Sequence, residues 1–389
     1  MIDSQSFWGF DSSRVPSPCF VVDEEAIRQN LEILARVQAQ SGAKVLMALK
    51  AFSMFSLAPL ISQYLAGTCA SGLYEAHLGA EEFGGEVHTF SAAYSDEDLR
   101  AILELSDLVV FNSFGQWQRY QPLIRSAVRQ RSQLKFGLRV NPLHSEGSTP
   151  IYDPCGPGSR LGIPKSEFDG QDLSGLSGLH FHTLCEQDFP PLSRTLDAIE
   201  VQFADWLPQL EWVNFGGGHH ITRHGYQIDA LIDRIRAFQY RYGVQVYLEP
   251  GEAIAIQTGV LVCEVLDVLR TDIDIAILDT SATCHMPDTL EMPYRADVFG
   301  AGAAGEKPFT YRLGGLTCLA GDVMGDYSFE TPLQVGQRLM FDDMAHYTMV
   351  KTSTFNGTKL PAIALWNSST NALKLVKEFG YNDFKSRLS

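Results

Sequence analysis

The 389-residue sequence predicts an α/β fold, a (β/α)8 TIM-like barrel followed by a C-terminal all-β domain. Three observations carry this. Short apolar or β-rich segments recur at 44–50, 68–72, 87–92, 108–112, 135–141, 178–182, 212–217 and 245–250. Helix-compatible stretches separate them. After Gly259 the rhythm gives way to β-like segments with turn-rich connections. Alternating strands and helices imply a parallel sheet, and eight such units fit a closed barrel better than an open doubly wound sheet. The later segments, without helical periodicity, read as all-β. The expected division is 25–258 for the barrel and 1–24 with 259–389 for the β-domain.

In chain order, Cys19-Phe20-Val21-Val22 reads as a strand. Asp23 is placed to cap a helix over 24–40 that carries Ile27, Leu31, Leu34 and Val37 on one face. Further helices are expected over 54–65, 73–83, 96–105, 115–129, 191–206 and 228–242. Asp96 is the expected cap of the third of these, with Leu99, Ile102 and Leu103 on its buried side. The β-domain strands are expected at 260–269, 273–278, 313–318, 338–341 and 361–366.

Composition narrows the function. An apolar content of 45% with 20% charged residues is that of a soluble globular protein. No apolar run reaches 18 residues, so no membrane span is expected. Residues 1–10 lack the basic-then-apolar pattern of a secretion signal. Seven cysteines without paired spacing suggest neither a disulfide framework nor zinc, and a reducing, cytoplasmic setting is expected. A net charge of −16 disfavours nucleic acid and anionic membranes and favours a cationic ligand.

In such barrels chemistry collects at the C-terminal ends of the strands. Lys50 ends the first. Burial there lowers the pKa of an ammonium and frees a nucleophilic amine, although a lone strand-end lysine more often extends into solvent. The sixth strand ends in His180-Phe181-His182, with His182 at the rim. The seventh runs into Gly216-Gly217-Gly218-His219-His220, where glycines allow backbone N–H groups to cradle a phosphate. The eighth ends in Glu249-Pro250-Gly251. Singly these are ordinary: three glycines are often a loop, and a strand-end Glu is often a helix cap. Together they give the amine, ring platform, phosphate cradle and carboxylate that pyridoxal 5'-phosphate requires. Lys50 would attach to its aldehyde, His182 would stack on the ring, Gly216, Gly217 and Gly218 would hold the phosphate, and Glu249 would keep the pyridine nitrogen protonated. No metal is expected.

This order of motifs resembles the fold-type III pyridoxal-phosphate decarboxylases, alongside alanine racemase, over nearly the whole chain. Ala48-Leu49-Lys50-Ala51-Phe52, Leu179-His180-Phe181-His182, Gly216–His220 and Glu249-Pro250-Gly251-Glu252 are most similar to the branch that acts on carboxynorspermidine and carboxyspermidine. The resemblance implies further roles. Cys318 and Asp322 match a Cys-x-x-x-Asp motif whose loop enters the partner's site in a head-to-tail homodimer. There the cysteine donates a proton and the aspartate binds a substrate amine. Tyr347 matches a tyrosine that bonds the phosphate, Arg139 an arginine near the cofactor's phenolic oxygen, and Glu75 an acid near the ring. Asp288, Glu291 and His285 fall where substrate choice is made, and a cationic carboxylated polyamine wants more than one acid. The ordinary alternative for that segment is a solvated acidic loop.

Two departures stand out. Glu252 replaces an arginine that meets the phosphate in the ornithine and diaminopimelate branches, which leaves His219 or His220 to balance its charge. Thr68 replaces an acid of the ornithine branch. Three other readings remain: a decarboxylase of diaminopimelate, arginine or ornithine; a non-catalytic decarboxylase-like regulator; and an unrelated barrel hydrolase using His182 and Glu249, which leaves Lys50 without a role.

Overall fold

A computed structural model describes residues 4–389. They form two compact units, Gln29–Ile254 and Ala255–Ser389, the latter joined by the N-terminal residues up to Arg28.

The chain opens with β1 (Cys19–Asp23), a strand of the second unit. Asp23 accepts from the Glu25 N–H at the start of the helix Glu24–Ser41. The barrel strands follow: β2 (Lys44–Ala48), β3 (Gly67–Ala70), β4 (Glu86–Phe90), β5 (Leu108–Phe111), β6 (Lys135–Arg139), β7 (Gly178–His180), β8 (Trp212–Asn214) and β9 (Gln245–Leu248). All pair in parallel, and β9 returns to β2 through Lys44 and Tyr247 to close the ring.

Leu46, Leu108, Val110, Trp212 and Tyr247 pack inside the ring. The Trp212 indole fits because its neighbour on β7, Gly178, and the residue paired to that one on β6, Gly137, are both glycines. A Cβ on either Gly137 or Gly178 would overlap the ring. Its Nε1 donates to Ser177 Oγ at 2.9 Å.

Helices depart from the sequence pattern where local chemistry intervenes. Ser95, not Asp96, caps the helix Asp96–Leu105, accepting from the Asp98 N–H. The expected helix 115–129 divides into Phe114–Arg119 and Gln121–Gln130, with Pro122 in the first turn of the second. Residues 54–65 yield only a 3-10 turn, Phe55–Leu57, and the short helix Ala58–Ile61. Between β6 and β7 the chain forms 3-10 turns at Pro150–Tyr152 and Lys165–Glu167 and no α-helix.

The second unit adds β10 (Gly259–Arg270), β11 (Asp274–Leu278), β12 (Gly302–Ala303), β13 (Phe309–Gly314), β14 (Val323–Phe329), β15 (Arg338–Phe341), β16 (Ala362–Asn367) and β17 (Ala372–Lys377). With β1 they make a nine-stranded mixed sheet in the order β12-β14-β13-β11-β10-β1-β16-β17, with β15 on β10. The expected strand 313–318 instead ends at Gly314 and leaves Cys318 in a loop. β14 and β17 escape the apolar pattern: Gly325 and Asp326 interrupt one, and no residue of the other is fully buried. Among the described residues no helix is long and apolar enough to cross a membrane.

Candidate active site

Register places the last residues of three strands side by side. Arg139 of β6 faces His180 of β7, which faces Asn214 of β8. This row lies at the C-terminal rim of the barrel, where Glu249 follows β9.

Glu249 is held from two directions. Asn214 Nδ2 donates to its Oε1 at 2.7 Å, and His180 Nε2 lies 3.3 Å from its Oε2. Burial works against ionisation, but the His180 and Asn214 contacts outweigh it and carry the carboxyl down to about 2. A fixed carboxylate thus stands in the barrel mouth. His180 itself is buried, its Nε2 is turned to Glu249, and its Nδ1 makes no hydrogen bond with the chain.

His182 accepts the Gly217 N–H on Nδ1 at 3.0 Å, which puts the ring proton on Nε2. Burial, then the charges of Lys50 and Arg139, hold its pKa well below the usual imidazole value. It is a neutral ring of fixed orientation. Arg139 is buried, lies 4.6 Å over the Phe90 ring, and donates to the His182 carbonyl at 3.2 Å. Burial lowers its pKa to about 10, which still leaves it charged at neutral pH.

Lys50 sits in the turn after β2 and is exposed. The expectation that burial activates it therefore fails: the side chain follows the ordinary strand-end course into solvent. Its charge nonetheless acts on His182, His180 and Cys69, so amine, imidazoles and Glu249 share one rim.

The glycine triplet is demanded by packing. A Cβ on Gly216 would overlap Phe181 and His182, one on Gly217 the Glu249 carbonyl, and one on Gly218 the Leu184 carbonyl. Gly216 and Gly218 also have left-handed φ of +68° and +81°. Two of the three N–H groups expected to cradle phosphate are spent inside the chain: Gly216 donates to Asn214 Oδ1 at 2.8 Å, and Gly217 to His182. Of the two histidines expected to supply compensating charge, His219 does not. Burial holds His219 down to about 3, with its Nδ1 2.6 Å from the Tyr226 hydroxyl. His220 Nε2 lies 3.0 Å from Glu252 Oε2.

Residues 19–345 match the family described as pyridoxal-dependent decarboxylase, C-terminal sheet domain. The chain belongs to this decarboxylase family. It is 47% identical over 378 residues to the carboxyaminopropylagmatine decarboxylase of Synechocystis sp., covering 97% of this chain and 96% of that one. It is 43% identical to the carboxynorspermidine/carboxyspermidine decarboxylase of Campylobacter jejuni, covering 96% and 99%. The crystal structure of carboxynorspermidine decarboxylase from Campylobacter jejuni, complexed with norspermidine, superposes with a TM-score of 0.88 at 42% identity, over 96% of this chain and all of that one.

Pyridoxal 5'-phosphate is the cofactor of this family, and the rim fits it. It offers an amine, a neutral imidazole, a carboxylate held ionised, and a buried imidazole, His180, whose Nδ1 makes no hydrogen bond within the chain.

Glu75, in the barrel unit, accepts the Ser71 N–H at 2.6 Å, and the remaining family-implied residues lie in the sheet unit. Cys318 is an exposed free thiol whose N–H donates to Asn356 Oδ1 at 2.7 Å. Tyr347 is partly buried with a left-handed φ of +46°. Asp322 departs from its expected substrate role. It is buried and accepts from the Ser281 hydroxyl, the Thr283 N–H, and both the N–H and hydroxyl of Thr317. Four donors take up the carboxylate, two from its own loop and two from the segment after β11. His285 departs likewise: it is fully buried against Thr280 Oγ1, and burial pushes it down to about 4. Asp288 and Glu291 do gather an ammonium, but it is the chain's own. Lys351 Nζ lies 2.5 Å from Asp288 and 2.9 Å from Glu291.

Asn214 and His180 are the residues the motif reading passed over as functional. Their signal was positional: each ends a strand in the layer of Arg139, His180 inside a quoted motif and Asn214 two residues before the glycine loop.

Proposed function

We propose that this chain decarboxylates carboxynorspermidine and/or carboxyspermidine, giving norspermidine or spermidine in polyamine biosynthesis. The observation that carries this is full-length similarity, 43% over 96% of the chain, to an enzyme named for both substrates. The 47% likeness to the Synechocystis enzyme favours a second reading, carboxyaminopropylagmatine, which differs at the distal cationic end.

Bound pyridoxal 5'-phosphate supplies the electron sink for the bonding pair released as carbon dioxide leaves. Lys50 holds it through the ε-amine. Glu249 holds a proton at the ring nitrogen, and its low pKa suits an anion placed against a cation. His182 would present its neutral ring to the cofactor, Gly218 its N–H and Tyr347 its hydroxyl to the phosphate, and Arg139 its charge to the phenolic oxygen. Cys318 of the partner subunit moves a proton from Sγ to the substrate's α-carbon, in a homodimer whose two sites are shared. Seven free cysteines are consistent with a reducing cytoplasm.

The deciding experiment is carbon dioxide release from a panel: carboxynorspermidine, carboxyspermidine, carboxyaminopropylagmatine, diaminopimelate, ornithine and arginine. Preference for either of the first two supports the reading. Preference for the agmatine derivative selects the second, and turnover of only the last three rejects both. For the shared site, Lys50→Ala and Cys318→Ala subunits are mixed. Partial activity from two inactive parents supports it, and an inactive mixture with demonstrated exchange counts against it.

A further inference from the structure

Asn214 stands between the two halves of the cofactor site. Its side chain is 1% exposed and both ends are used. Nδ2 donates to Glu249 Oε1 at 2.7 Å, and Oδ1 accepts the Gly216 N–H at 2.8 Å. The Glu249 N–H in turn donates to the Gly216 carbonyl at 2.8 Å, closing a ring of three hydrogen bonds. A primary amide donates to one neighbour and accepts from the other without carrying charge at any pH of interest. A leucine of similar size can do neither, and an aspartate only while protonated.

We infer that Asn214 is a positioning residue, a neutral clasp that fixes the Glu249 carboxylate and the Gly216–Gly218 loop in one geometry, so that the ring-nitrogen and phosphate contacts of the cofactor are coupled. The inference rests on the proposed roles of Glu249 and the glycine loop. The titratable groups around the carboxylate are His180 of β7, His88 of β4 and Cys69 of β3, with Lys50 acting on Cys69 from beyond β2.

Two substitutions separate the ends of the clasp. Asn214→Leu removes both bonds. Asn214→Asp keeps the acceptor for Gly216 but sets a second carboxyl against Glu249. Two carboxylates at that separation cannot both ionise freely, so the pair retains a proton that serves as the missing donor. The aspartate variant is therefore wild-type-like at low pH and fails as the shared proton leaves.

The test uses apoenzyme with added pyridoxal 5'-phosphate, and pyridoxal as the ligand without phosphate. Dissociation constants are measured across the range from about pH 6 to about pH 8.5, where a shared carboxyl proton can be lost. The nitrogen-15 shift of ring-labelled bound cofactor reports ring protonation. Asn214→Leu is expected to weaken pyridoxal 5'-phosphate at least tenfold at every pH, and pyridoxal less. Asn214→Asp is expected to match wild type at the acid end, then lose affinity and ring protonation together as pH rises. If Asn214→Leu does not fold, the aspartate variant decides alone. Wild-type affinity and nitrogen shift for Asn214→Asp across the range overturn the inference. Glu249→Gln runs in parallel. If it too leaves the nitrogen signal unchanged, the assignment of Glu249 falls along with the clasp. If it changes that signal while Asn214→Asp does not, only the clasp falls.

Discussion

Thr317 donates its hydroxyl to Asp322 Oδ2 at 2.7 Å and its backbone N–H to the same oxygen at 3.0 Å. The carboxylate thus pins the segment carrying Cys318 to Ser281 and Thr283. Asp322→Ala is expected to leave several buried donors unsatisfied and to cost about 3 kcal/mol or more of stability. A thermal melt with a paired KM measurement separates this from substrate binding. A raised KM with an unchanged melting temperature would restore the family-implied role.

The Gly218 backbone, at a φ of +81° against the Leu184 carbonyl, admits no side chain. Gly218→Ala is expected to displace the loop and weaken cofactor binding at least tenfold, about 1.4 kcal/mol. Titration of the apoenzyme with pyridoxal 5'-phosphate measures it. Unchanged affinity would remove the loop from the cofactor site.

Gly178→Ala drives a methyl into the Trp212 indole. Overpacking of this kind costs about 1–3 kcal/mol. Combining it with Trp212→Leu, which vacates the ring's volume, is expected to cost less than the sum of the two single losses. Additive losses in denaturant unfolding would mean that the two positions do not share one space.

His285 is buried with its pKa lowered from 6.5 to about 4. The unfolded imidazole protonates first as pH falls, so the stability present above 6.5 is lost progressively between 6.5 and about 4. Within that window the slope is about 1.4 kcal/mol per pH unit for this one group. His219, lowered to about 3, adds in the same direction. Melting temperatures from neutral to mildly acid pH are expected to fall, and His285→Asn is expected to flatten the curve. A variant as acid-sensitive as wild type would place the loss elsewhere.

The barrel was legible because its strands are short, apolar and separated by helix-forming stretches, a pattern that local sequence carries in full. The rim was legible in the same way, since Lys50, His182, the glycine loop and Glu249 all follow a strand end. What could not be read depends on partners distant in sequence. Asn214 meets Glu249 across 35 positions and Asp322 meets Ser281 across 41, and neither spacing has periodicity. Asp288 and Glu291 read as partners for a substrate's amines, and nothing local to them indicates that Lys351 pairs with both. Lys50 shows the opposite error. Its apolar neighbours suggested burial, whereas the strand stops at Ala48 and leaves two residues in which to turn outward.

The Trp212 indole, admitted by Gly137 and Gly178, makes the barrel a cup instead of a tube. With Leu46, Leu108, Val110 and Tyr247 it fills the interior beneath the rim, so the barrel axis offers no passage from below. Reactant and product then share the rim side, one after the other. A product that lingers there competes with the next substrate by obstruction as well as by affinity, and widening the cup from below would leave that queue unchanged.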